Sequence, residues 1–131
     1  MKYEELIKTV MHRAKLNSRL EAQDALRATL ETLSERLTQD EAAKFSSELP
    51  SEAALYMHQP FIGGLTERFT LDDFIQRVSQ REGVELQVAG QHANAVANVI
   101  SEAVSLGALE HLVAQLPTDI AQLFMTRHAG G

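Results

Sequence analysis

The sequence predicts an all-α fold: an internally duplicated helical bundle, with two related units of three to four helices packed as one domain. Three observations point there. Apolar residues recur at helical spacing through almost every segment. Serine or threonine followed three residues on by an acid, and isolated proline or glycine, punctuate the runs where helix ends belong. No segment alternates apolar and polar residues as a half-buried strand does. On this pattern more than ~60% of the residues belong in helix.

The elements follow in order. Residues 2–15 place Tyr3, Leu6, Ile7, Val10, Met11 and Ala14 on one stripe. Asn17 and Ser18 break the run. Ser18-Arg19-Leu20-Glu21 is a capping box, in which the serine accepts from the N3 amide and the glutamate reaches back. The second helix turns Ala22, Ala25, Leu26, Thr29, Leu30, Leu33 and Leu37 inward. Thr38-Gln39-Asp40-Glu41 opens a short helix carrying Ala42, Phe45 and Leu49. Pro50 suits the first turn of a fourth short helix, because its missing amide has no partner there anyway. That helix is expected to carry Ala54, Leu55 and Met57.

Pro60-Phe61-Ile62-Gly63-Gly64 is a punctuated linker. Thr70 caps a helix over 71–82, with Asp73 at N3 and Leu71, Phe74, Ile75 and Val78 inward; Gly83 suits its C′ position. A long helix near 87–106 is expected to stop at Gly107. A short helix covers 108–116, and Pro117 opens the last one. The division is unit one at about 3–58, a linker at about 59–69 and unit two at about 70–125, within a single domain of 131 residues.

The two halves match. Glu5-Leu6-Ile7-Lys8-Thr9-Val10 answers Asp73-Phe74-Ile75-Gln76-Arg77-Val78, 68 residues later. Phe45-Ser46-Ser47-Glu48-Leu49-Pro50-Ser51-Glu52 answers Leu112-Val113-Ala114-Gln115-Leu116-Pro117-Thr118-Asp119, 67 residues later. Such a period is long for a solenoid repeat and fits gene duplication better. An acidic-apolar-Ile-x-x-Val opening, a long Ala/Leu helix and then Leu49-Pro50, repeated through Leu116-Pro117, resembles the bacterial domain-of-unknown-function family numbered 2267, over about residues 3–124. The resemblance implies a helical, internally duplicated prokaryotic domain. It supplies no activity, cofactor or catalytic residue. Relatives often carry a tryptophan after the first Leu-Pro helix; this chain has none and offers Tyr56 and Phe61 nearby.

Composition narrows the function classes. There are no cysteines, which removes disulfides and thiolate chemistry. Met1-Lys2-Tyr3-Glu4-Glu5 lacks the apolar region of a signal peptide. No charge-free apolar stretch reaches the ~20 residues of a membrane span. The expected setting is therefore the cytoplasm, with no membrane. The net charge is −6. Residues 1–60 carry 8 basic and 10 acidic residues, and residues 61–131 carry 4 and 8. Neither half is a basic footprint, which argues against nucleic-acid binding.

Chemistry is sparse. His12 and His111 lie off the apolar stripes of their helices and read as surface residues. His128 lies in the tail. His58, before Gln59-Pro60, is a candidate ligand residue, although no second histidine or acid accompanies it at metal-ligand spacing. His92 shares a face with Val88, Ala89, Ala95 and Val96 and reads as a hydrogen-bonded core or interface histidine. Tyr56 and Phe61, with Met57, Phe69 and Phe74, suggest an aromatic core between the units, or an apolar ligand pocket. Glu4-Glu5 and Asp72-Asp73 fall in first turns, where negative charge suits the helix dipole. No catalytic residue, metal site or cofactor is assigned, and the residues lean against an enzyme.

One helix is unusual. From Leu86 to Leu109, Glu102 is the only charge, whereas residues 19–37 carry seven. Beside its apolar face the long helix bears Gln91, Asn94, Asn98, Ser101 and Ser105, small neutral polar groups of the kind that tolerate close approach. Charge depletion marks an interface centre. The helix is therefore either central in the monomer or turned toward a homodimer mate or another protein. The leading functional expectation is a protein–protein interaction or regulatory module. The alternative is a small-ligand binder or enzyme using the interface between the repeats.

Overall fold

The computed structural model describes residues 1–58 and 69–125. Of these, 79% are helical, in eight α-helices and one 3-10 turn, with no strand among them. The helices are α1 (Tyr3–Arg13), α2 (Arg19–Glu35), α3 (Gln39–Ser46), α4 (Ser51–Ala54), α5 (Leu71–Glu82), α6 (Leu86–Ala103), α7 (Leu106–Gln115) and α8 (Thr118–Met125), with a 3-10 turn at Leu55–Met57 after α4. Phe61, the Pro60–Gly64 linker and His128 lie outside the described residues.

Helix starts follow the side-chain chemistry, since the first amides of a helix have no partner within it. At α3, Glu41 N–H donates to Thr38 Oγ1 at 3.1 Å while the Glu41 carboxylate takes the Thr38 amide at 2.9 Å. Thr70 and Asp73 do the same for α5. At α2 the box is half-made. Ser18 Oγ accepts from Glu21 N–H at 3.1 Å, but the Glu21 carboxylate accepts the serine hydroxyl at 3.0 Å instead of the Ser18 amide. Ser18→Ala removes that acceptor and is expected to cost about 1 kcal/mol. A urea melt with an unchanged midpoint would refute the cap.

The end of α1 holds an unusual residue. Leu16 N–H donates to Met11 at 2.8 Å and Lys15 N–H to His12 at 3.2 Å, closing the helix by a Schellman motif. That geometry puts Lys15 at φ 57°, in the left-handed region. Gly83 takes the same role at the end of α5 with φ 72°. Lys15→Gly is expected to stabilise the domain by about 1 kcal/mol, because a side chain in that region is strained by its own backbone. The readout is a melting temperature a few degrees higher; a lower one would show that the Lys15 side chain supplies a compensating contact.

Two expected boundaries differ. The long helix stops at Ala103, not 106, and Gly107 lies inside α7. Val104 and Ser105 are extended, with ψ 164° and 155°, because Ser105 Oγ accepts the Ala108 amide at 3.2 Å and so begins a new helix. The Glu48 carboxylate accepts the Ser105 amide at 3.1 Å and fixes that corner from the first half. In the short fourth helix, Ala53 and Met57 are buried while Leu55 is exposed. Ala53 and Met57 are four residues apart and share the inward face, which leaves Leu55 between them on the other side.

The core is continuous across both halves, with Leu6, Leu26, Leu33, Phe74, Ile100 and Phe124 fully buried. α6 sits at its centre, packed against α1, α2, α5 and α8. Ala89, Ala93 and Ala97 are fully buried along it, and such small side chains let neighbouring helices approach closely. Its one acid, Glu102, meets Arg13 of α1 in a two-pronged pair at 2.7 and 3.1 Å. At the α2–α5 seam, Arg77 and Arg81 of α5 converge on Glu35 of α2. Burial opposes ionisation of Glu35, but Arg81 and then Arg77 hold its carboxyl below the ordinary range. Phe69 closes this seam, with the Arg77 guanidinium 4.2 Å and the Arg36 guanidinium 5.9 Å from its ring centre.

Candidate functional site

α3 and α7 come from different halves and pack side by side. Between them runs an open groove of about 470 Å³, including the space at its mouth. Leu37, Phe45 and Leu112 form its floor and are buried beneath it. Glu41, Lys44 and Glu48 stand along the α3 edge; Ala108, His111 and Gln115 stand along the α7 edge. Positions 41, 44, 45 and 48 have the same spacing as 108, 111, 112 and 115, and each matched pair is 67 residues apart. That spacing puts one face of α7 on one side of the groove, and one face of α3 with Glu48 of the following turn on the other.

The two edges differ in charge. The first has two carboxylates flanking a lysine. The second has alanine, a histidine within 3.2 Å of Gln115, and that glutamine. Glu41 and Glu48 each commit one oxygen, to the Thr38 and Ser105 amides. Among the described residues their other oxygens have no such partner.

A second polar constellation lies inside. His92 of α6 and Glu82 of α5 meet at 2.6 Å through Nδ1 and Oε2, with side chains 10% and 4% exposed. Among the described residues Glu82 Oε1, which is buried, has no hydrogen-bond partner. Burial pushes the Glu82 carboxyl above the usual range, His92 draws it back, and Asp24 and Glu21 of α2 push it up further. The core or interface histidine expected from the sequence is thus a buried one, held by an acid ten residues earlier. Reading helix faces one at a time missed Glu82, which falls in the last turn of a strongly amphipathic helix.

The remaining candidates scatter. His58 is exposed, with Nε2 3.2 Å from the buried Ser46 hydroxyl. Tyr56 is half-buried and shares a 2.9 Å hydroxyl contact with Tyr3, whose own hydroxyl is raised by burial and by that contact. The polar row on α6 divides. Asn98 and Ser101 are buried, with Ser101 Oγ donating to the Asn98 carbonyl at 2.7 Å, while Gln91, Asn94 and Ser105 are exposed. Among the described residues no three acids or histidines gather as metal ligands, and no helix is long and apolar enough to cross a membrane.

An eight-helix domain with one shared core and a groove between its halves is the class defined by this geometry. Residues 3–123 match the family described as uncharacterized conserved protein (DUF2267), and the chain belongs to that family. No curated protein matches it.

Proposed function

We propose that this domain is a protein–protein interaction or regulatory module of the bacterial cytoplasm, and that the α3–α7 groove is its recognition site. The groove itself carries the reading: a buried apolar floor reaches the surface between two edges of polar side chains. The internal polar groups, in contrast, are spent on structure. The Glu82–His92 pair, the α2–α5 arginines and the Tyr3–Tyr56 contact tie helices together.

An internal duplication of the chain is part of this proposal and supports the placement. The residues preceding the helices recur: Lys2 and Thr70 are 68 apart, while Ser18 and Glu85, Thr38 and Ser105, and Pro50 and Pro117 are each 67 apart. The helix contacts recur too, α1 against α6 as α5 against α2, and α1 against α4 as α5 against α8. Under that relation α3 and α7 would be equivalents, and their meeting across the groove is what a pseudo-twofold arrangement of the halves would produce. Neutral polar residues left exposed on α6, Gln91 and Asn94, make a second and smaller candidate contact for a homodimer mate.

The test is capture of a specific partner by the wild type and by Ala108→Arg, both shown to be folded. Ala108 is half-buried at the edge, so arginine there fills the groove from the rim. A partner held by the wild type and lost by the variant supports the reading. A partner held equally by both places recognition elsewhere.

A further inference from the structure

Resting on that reading, we infer that the occupant of the α3–α7 groove is a two-turn amphipathic helix of a partner protein, carrying basic residues about seven positions apart along one flank. The lining positions set the shape. Residues 108, 111, 112 and 115 lie on α7 and extend over seven helical steps, about 10 Å, while residues 41, 44 and 45 lie on α3 and Glu48 in the turn that follows it. A trough of that length between two helices suits a third helix, whose apolar side chains at i, i+3, i+4 and i+7 enter above Phe45 and Leu112.

The charges set the chemistry. On the α3 edge, Glu41 and Glu48 mark the two ends and Lys44 stands between them. A complementary flank therefore reads basic, then acidic or neutral, then basic. The α7 edge, with Ala108, His111 and Gln115, places no matching demand on the other flank. The net charge of −6 steers the same class of partner toward the domain. A phosphate-bearing or anionic ligand meets two carboxylates against one lysine at this edge and is disfavoured.

Two synthetic helix-forming peptides of about fifteen residues test this against the full chain by fluorescence anisotropy. Both carry one leucine stripe. The first has lysines seven apart on one flank with a glutamate midway, and the second has those charges reversed. The first is expected to bind about tenfold more tightly, because several weak exposed charge pairs act together. Glu41→Gln with Glu48→Gln should abolish that preference, since glutamine keeps both amide contacts and removes both charges. Ala108→Arg should weaken both peptides.

Equal binding of the two peptides, a preference for the reversed one, or no binding of either overturns the inference. So does a wild-type dimer in light scattering that Ala108→Arg splits, which would make a second copy the occupant. Loss of the natural partner on Ala108→Arg, without the peptide preference, would refute the basic helix and leave the groove reading standing.

Discussion

Replacing His92 with leucine is expected to destabilise the domain by about 3 kcal/mol at neutral pH, because it leaves a buried carboxylate without its partner. Leucine has nearly the volume of histidine, so the loss reports the pairing more than a cavity. Glu82 is 4% exposed at its side chain and its other oxygen is already unpartnered, so little else can take over. The pH dependence separates this cause from a packing defect. Burial raises the Glu82 carboxyl, and His92 opposes that rise. A raised acid contributes its stability below its unfolded value, and that contribution is lost as pH climbs through its folded value. Without His92 the folded value climbs further. His92→Leu should therefore lie closest to the wild type at acid pH, where protonation removes the buried negative charge, and fall away as pH rises toward 8. Adding Glu82→Gln should recover most of the loss at neutral pH. Denaturant melts across this range decide it, and a deficit independent of pH would refute the coupling.

Asn98→Glu is expected to unfold the domain or remove several kcal/mol of stability, while Asn94→Glu, one turn earlier, stays within about 0.5 kcal/mol of the wild type. Asn98 is 9% exposed. A carboxylate forced into that site loses most of its water. A domain of this size has only about 5–15 kcal/mol in reserve. Circular dichroism gives the folded fraction, and light scattering gives the mass. A folded Asn98→Glu variant that converts a dimer into a monomer would instead place Asn98 between subunits. The contrast with Asn94 matters because both asparagines look alike in sequence, four apart on the same helix.

These two positions show where reading the sequence stopped. The stripe on α6 identified which residues face inward, and the absence of charge showed that little of the helix is bathed in water. Neither could say what covers it. Its own chain leaves Asn98 only 9% exposed, and α1, α2, α5 and α8 all pack against this helix. Glu82 was equally illegible as a partner: it is ten residues from His92, across the turn between two helices, and hydrophobic periodicity carries no record of which acid points into the seam. The groove was half-visible. The match of Phe45 to Leu112 was in the sequence, but only the meeting of α3 with α7 made the matched residues into opposite walls.

What the sequence determined by itself was local: the helices, their starts at Ser18, Thr38 and Thr70, the closure at Gly83 and the inward stripes. Those depend on hydrogen bonds and side-chain spacing within a few residues, so nearby chemistry is enough to specify them. The misplaced end of α6 belongs to the other kind. Gly107 looked like a stop, but Ser105 ends one helix and begins the next while Glu48, 57 residues earlier, holds its amide. The tertiary structure alone decided that corner, the burial of Asn98, the Glu82–His92 pair and the two walls of the groove. Each brings together groups from separate elements, and their free energy depends on a through-space approach that is fixed only when the whole core closes.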